Sequence, residues 1–470
     1  MVPRHGDIGL STLSSISHAN DLEDLSRAAS VLNREETDSE PEPEPSRTYK
    51  CMLIFAGFMM TFHVIGINSI YGLFQEFYTS PETTIVDAQG QEALVSLVGT
   101  LGSGLTWSGS IFVNPMIGRM DNMKLISLSG ALIMSTGIVL ASFCTHLWQL
   151  FLTQGLLYGI GSSMYYFPLM SLTPAYFDRN RGAAMGIVLA GSGVGGLVLS
   201  PVFHTLLTTV GIRWALRILG IWNLMLSIPI CSVLTKKHRS AAGATGRSRV
   251  SMALLRRGTF VLQVLLWSLL AGGRECGPHV LPHHLLDLDL SYSSSTGSVL
   301  LAVNTAVNSV ARIGMGVLAD RVGRQNTMVF SVILSAVSVL ALWYDSDRAR
   351  FLAFVVLYGV WAGGYNALLP TTITEIYGVQ NYSSVNGFIY FIRGLGALFG
   401  APIAGLIWAR TAGGDRRDAV AGRGGVLTMD SLRTRYNDVA VYDGALLWRR
   451  GSVSRVGILL YIVIVAGVKS

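Results

Sequence analysis

Between residues 51 and 409 the chain is a succession of apolar runs, each near the roughly 20 residues a helix needs to cross a bilayer. They fall at about 51–74, 92–115, 124–146, 147–172, 183–207, 213–234, 258–282, 295–318, 326–345, 351–374 and 385–409. No water reaches the middle of a bilayer to bond exposed peptide groups, so such runs fold as helices that bond their own backbone. A twelfth span is split. Val456–Val468 is too short to cross unaided, and the apolar Val439–Trp448 is cut off by Arg449 and Arg450. Only 13% of the residues are charged, against about 25% in a soluble domain. Moreover, 10 of the 28 acids lie in the first 50 residues. The remainder could not hydrate the surface of a soluble enzyme or a nucleic-acid binder. The net charge of +7 therefore reads as membrane topology, because Lys and Arg gather in cytosolic loops.

Residues 1–50 are polar and end in Pro41-Glu-Pro-Glu-Pro45. They are expected to be a disordered cytosolic tail, with no cleavable signal peptide. The loops then sort by charge. Arg119, Lys124, Arg179, Arg181, Arg321, Arg324 and the seven Lys and Arg of the 235–257 link make 13 on one side. The loops at 75–91, 146–148, 208–212 and 283–294 hold none, and 346–350 holds Arg348 and Arg350. The expectation is a multi-pass protein of the plasma membrane with both termini cytosolic.

An internal repeat organises the spans. Leu157-Tyr-Gly159 with Tyr165 recurs as Leu357-Tyr-Gly359 with Tyr365. Gly186, Gly193, Gly195 and Pro201 recur as Gly387, Gly394, Gly396 and Pro402, and Asp121 recurs as Asp320. Six spans separate the copies, so both keep one orientation, as in parallel-repeat carriers. The expected fold is all-α, twelve helices in two pseudo-symmetric halves, 51–234 and 258–470, joined by the basic link. The fifth and eleventh spans are rich in Gly, which lets helices approach closely in lipid. Gly186, Gly191, Gly193, Gly195, Gly387 and Gly394 are the expected packing positions.

Gly191-Ser-Gly-Val-Gly-Gly196 has the spacing of a dinucleotide loop, but it lies inside an apolar helix with no strand before it. Helix packing is the better reading. His279, His283 and His284 lack a spaced set of carboxylates, and the four Cys lack zinc spacing. No metal or cofactor is expected. Neither a nucleophile elbow nor a His-Glu-x-x-His motif occurs, so an enzyme is not expected.

Gly316-Val-Leu-Ala-Asp-Arg-Val-Gly-Arg324 is a short charged turn between two spans. Asp320 can face the positive end of a neighbouring helix or pair with an arginine. With Arg321 and Arg324 it resembles the cytoplasmic loop signature of the major facilitator superfamily. Gly118-Arg-Met-Asp-Asn122 is its degenerate first-half copy. Tyr176 to Gly196, Thr153-Gln-Gly155, Gly211 to Arg217, Asn68 to Tyr78 and Gly400-Ala-Pro-Ile-Ala-Gly405 look like the monocarboxylate transporter family, especially its fungal members. The resemblance covers roughly 51–409. It lapses before the first span, in the Ala271–Gly277 stretch, and over 410–455. That last stretch carries six Arg between 410 and 435, and two readings stand for it: an outer loop leading to a short last helix, or, the preferred one, translated intron or a shifted exon in the gene.

The resemblance implies secondary transport of a small organic molecule, a monocarboxylate or related anion, by alternating access. An exporter of a secondary metabolite or drug, or a sensor that keeps the fold, are the alternatives. Arg312 matches the eighth-span arginine that binds substrate carboxylate in the family. Its guanidinium can bond both oxygens of a carboxylate. The family often has an Asp one turn earlier, where this chain has Asn308. Charges inside a membrane are costly and point to function, which adds Arg393 as a second candidate and Glu275 as a proton carrier. His63 is an alternative proton carrier. His63, Asn68, Tyr165, Tyr166, Asn304, Tyr365 and Asn366 are candidates to line the cavity, each with an interhelical hydrogen bond as the alternative. The expected partners are a small organic anion, H+ where transport is proton-coupled, and the lipid bilayer, with no nucleic acid.

Overall fold

A computed structural model describes residues 46–81, 83–120, 122–177, 180–234, 294–343, 348–378, 382 and 384–399. All the regular structure among them is helical. Glu275, Asp121, the histidines at 279–284, the 235–257 link and the 410–455 stretch lie outside the described residues.

The first run folds as Arg47–Ser69, followed after Ile70 by Tyr71–Thr79. The second is Glu92–Ser108 and Ser110–Arg119, bent at Gly109 ahead of Pro115. The third, Met123–Ala141, is capped by the Asn122 side chain, which accepts from Leu125 N at 3.3 Å. This bond satisfies one of the first-turn N–H groups that has no partner within a helix. The fourth runs from Leu147 to Tyr176 and is π-helical over Phe151–Leu157. The widened turn brings the Gln154 carbonyl to where a Cβ at Gly102 would lie only 2.8 Å from it.

The turn expected at 208–212 is present and shorter than expected. The helices 181–210 and 212–232 meet at Gly211, whose φ of 77° and ψ of 165° are non-helical. A side chain is strained at that φ, so the two spans meet through a single glycine joint rather than a loop. Ser294–Val322, Arg324–Ser338 and Arg348–Tyr377 follow, then the apolar helix Ser384–Phe399. Five of these helical stretches are long and apolar enough to cross a membrane.

Large apolar side chains cover the outside: Phe112 is 76% exposed, Met225 68%, Phe55 65% and Trp148 59%. In water such a surface would aggregate; against lipid tails it costs nothing. The polar residues turn inward instead. Thr61, Ser127, Ser162, Asn223 and Ser331 are buried, and their side chains bond across helices or back to carbonyls of their own. Asn223 donates to Ser135 at 2.7 Å, tying the sixth span to the third.

Helix 181–210 carries two rows of small residues. Gly191 and Gly195 lie against the carbonyls of Phe58 and Phe62, and Gly66 returns the contact, so this row seats the first helix. Gly182, Gly186 and Gly193 face the 294–322 helix of the other half. A Cβ on Gly186 would sit 2.5 Å from the Arg312 carbonyl. Across the molecule Gly387 and Gly394 do the equivalent work. A Cβ on Gly387 would meet Asn114 at 2.8 Å, and one on Gly394 would meet the Gly104 carbonyl at 2.5 Å. Ser110 also donates to the Gly387 carbonyl at 2.7 Å. The repeat-related glycines thus hold two repeat-related seams between the halves. Where the opposing atom is backbone, as at Gly186 and Gly394, it cannot move aside for a side chain. Gly186→Val should part the 181–210 and 294–322 helices and lower the thermal midpoint of the purified protein by several degrees. A midpoint equal to wild type would show that this seam is not tight.

Candidate functional site

Among the described residues of the second half, two arginines are buried, and both reach into the first half. Arg312 lies two turns inside Asp320 on the 294–322 helix and is 6% exposed. Its Nε donates to Asn308 Oδ1 at 2.9 Å, and its Nη1 donates to the Leu189 carbonyl at 2.5 Å and to the Ser192 hydroxyl. Leu189 and Ser192 belong to the opposite half. Arg393, on 384–399, is equally buried. It donates from Nη2 to Asn366 Oδ1 at 3.1 Å, and its guanidinium lies 4.8 Å from the Trp107 ring and 5.5 Å from the Tyr390 ring. Trp107 belongs to the first half. Each cation is therefore held by an asparagine of its own half and presented to the seam.

Asn308 uses both ends of its amide. The oxygen takes Arg312, and the Nδ2 donates to the Gly359 carbonyl at 3.1 Å. Asn304, one turn earlier, donates likewise to the Val355 carbonyl at 2.6 Å. An ionised aspartate accepts but cannot donate, so the residue the family often places here could not make the Gly359 bond. Asn308→Asp should loosen the 294–322 helix from the 348–377 helix and weaken stability by about 1–3 kcal/mol, the scale of leaving a buried acceptor unpaired. Unchanged thermal stability of Asn308→Asp would show that the donor is dispensable.

At one end of the molecule the halves are locked by charge. The Asp320 carboxylate accepts from Gly182 N at 3.0 Å and Ala183 N at 2.8 Å, the first N–H groups of the 181–232 stretch. It also pairs with Arg324 at 3.1 Å. Both possibilities expected for Asp320 occur together. Arg181 adds a second tie, donating to the Phe177 carbonyl at 2.7 Å and reaching Thr374 of the other half at 3.4 Å. Arg321 is on the exposed side of its helix.

The remaining candidates separate. Asn366 joins Arg393. His63 is fully buried; its Nδ1 bonds the Met59 carbonyl at 2.7 Å, and its Nε2 has no hydrogen-bond partner. Tyr165 packs within the first half, with its backbone against Gly130 and Ser127. The ring that reaches the seam is that of its neighbour Tyr166, 5.2 Å from Trp107. Sequence reading named Tyr166 beside Tyr165 but passed over Trp107 and Ser192. An aromatic in mid-span and a serine within a glycine row are too common in membrane helices to stand out.

Two helical halves that meet on glycine seams around buried cations have the build of a membrane carrier. The chain belongs to the Major Facilitator Superfamily, which its residues 51–276 and 278–412 match. It is 25% identical over 357 residues to the MFS-type transporter pynF of Aspergillus niger, covering 76% of this chain and 81% of that one. It is 26% identical to the aspyridones efflux protein apdF of Emericella nidulans, over 79% and 74% of the two chains. It is also 26% identical to human monocarboxylate transporter 12, over 82% and 79%. Among solved structures the human organic anion transporter MFSD10 superposes with a TM-score of 0.59 at 11% identity, over 87% of this chain and all of that one. The twelve-helix major facilitator fold is thereby established, and with it an integral membrane transporter.

Proposed function

We propose that the protein carries a small organic anion, a monocarboxylate or a related acid, and that Arg312 is its anchor. The observation that carries this reading is the charge of the interior. Arg312 and Arg393 are buried between the halves, while the stretches 46–74, 93–120, 122–177, 180–234 and 384–399 contain no Asp or Glu. Low dielectric magnifies a positive potential there, so the path favours anions and rejects cations. An arriving carboxylate can take over the Nη1 donor that Leu189 and Ser192 now share. It would thereby loosen helix 181–210 from helix 294–322, a step alternating access needs. The kinship with monocarboxylate transporter 12 supports the same substrate class. The efflux relative favours a second reading, export of an acidic metabolite, which uses the same anchor in the opposite direction.

Proton coupling, where present, does not use the Arg312 pair, because Asn308 cannot ionise. Glu275 and His63 are the groups left to carry it. A pH gradient across reconstituted vesicles should therefore drive carboxylate flux in wild type but not in Glu275→Gln or in His63→Ala, whichever is the carrier. A full response in both variants would leave the proton without a carrier among these residues.

The orientation proposed is cytosolic for the 235–257 link, for both termini and for the end that holds Asp320. The plasma membrane is the proposed location. A tag inserted beside Gly243 should stay unlabelled by an impermeant reagent on intact cells. Labelling without permeabilisation would reverse the topology.

A further inference from the structure

We propose that Arg393 and the rings around it form a recognition subsite for a planar aromatic carboxylate. This is distinct from the Arg312 anchor. The rings come from both halves. Trp107 stands 5.4 Å from Tyr390 and 5.2 Å from Tyr166, and Phe167 stands 5.7 Å from Tyr390. Most of these contacts are edge-to-face, with interplanar angles of 85° between Trp107 and Tyr166 and 83° between Phe167 and Tyr390. Such packing presents ring faces and edges in several directions, and a flat ring entering the seam finds a partner of either kind. The guanidinium already lies over the Trp107 face, the position from which it can keep a π contact while bonding a carboxylate in its own plane.

A second observation concerns Tyr166. Its hydroxyl is buried beside Tyr390, its hydrogen-bond neighbour, and close to the charge of Arg393. A phenol beside a guanidinium is placed to donate to an anion's other oxygen. Packing of hydrocarbon alone would be served by phenylalanine, which the chain uses at the next position, Phe167. A small aliphatic acid would meet Arg393 but leave the rings without a partner. An aromatic acid uses both.

Equilibrium binding to the purified full-length protein tests this without requiring transport. The probes are radiolabelled benzoate and cyclohexanecarboxylate, which are both fully ionised at neutral pH and similar in size but differ in having a planar π system. Wild type should bind benzoate about tenfold more tightly than the saturated acid. Trp107→Leu should bring the two affinities together, while Trp107→Phe, which keeps a ring, retains most of the preference. Tyr166→Phe should weaken benzoate binding several-fold. Equal binding of the two acids by wild type, binding of neither, or a preference that survives Trp107→Leu overturns the subsite. Equal binding of both acids would still leave the Arg312 anchor standing, so the two proposals fail separately.

Discussion

Arg312→Ala should abolish carboxylate transport while the protein still reaches the membrane. The guanidinium is buried at the seam and touches Asn308, Leu189 and Ser192. Its removal takes away the charge that attracts the anion and leaves a cavity lined by carbonyls, which repel one. Truncating one partner of a buried, hydrogen-bonded charge pair costs about 2–5 kcal/mol, so flux should fall by at least about thirtyfold. Arg312→Lys keeps the charge but loses the planar fork. It cannot bond Asn308 through Nε and offer Nη1 to the other half at once. It should retain a small fraction of wild-type flux, with a raised KM. Normal flux in Arg312→Ala would remove the anchor from the mechanism.

The second large effect is expected at Asp320. Its two oxygens accept separately from Gly182 N and Ala183 N, and a helix start carries a partial positive charge. An asparagine has one acceptor oxygen and no charge, so Asp320→Asn must give up one bond and weaken the other. Charge-assisted hydrogen bonds contribute about 1.5–3 kcal/mol each. The locked end should open in a large share of molecules. Spin labels on the exposed Met120 and Asn326, in a background with the native cysteines replaced, would report this as a new population at longer distance. An unchanged distance distribution in Asp320→Asn would show that the carboxylate does not hold the halves together.

Much of this architecture could be read from the chain. The spans were set by hydrophobic length, and most structural ends lie within a few residues of the runs. The turn at 208–212 was placed but drawn too long, because the helix continues to Val210 and the break needs only the positive φ of Gly211. The repeat in Gly186, Gly193, Gly387 and Gly394 was legible because close helix contact tolerates nothing larger. Which helix each glycine meets was not, since a sequence period does not name its partner. Asp320 was legible for the same reason as any charge in an apolar chain. The pairing of Tyr165 and Tyr166 was not, because adjacent residues on a helix point about 100° apart and only the packing decides which faces the seam. Asn308 looked like the loss of an acid; in the structure it is a donor and acceptor that an acid could not replace.

The central claim is that the positive interior makes this a carrier of organic anions. It is tested most directly by flux into reconstituted vesicles with a panel of radiolabelled compounds of matched size: monocarboxylates, neutral amides and organic cations. The account predicts saturable flux of carboxylates that is lost in Arg312→Ala, with no flux of the cations. Transport of cations or neutral amides as fast as of the acids, unaffected by Arg312→Ala, would contradict it.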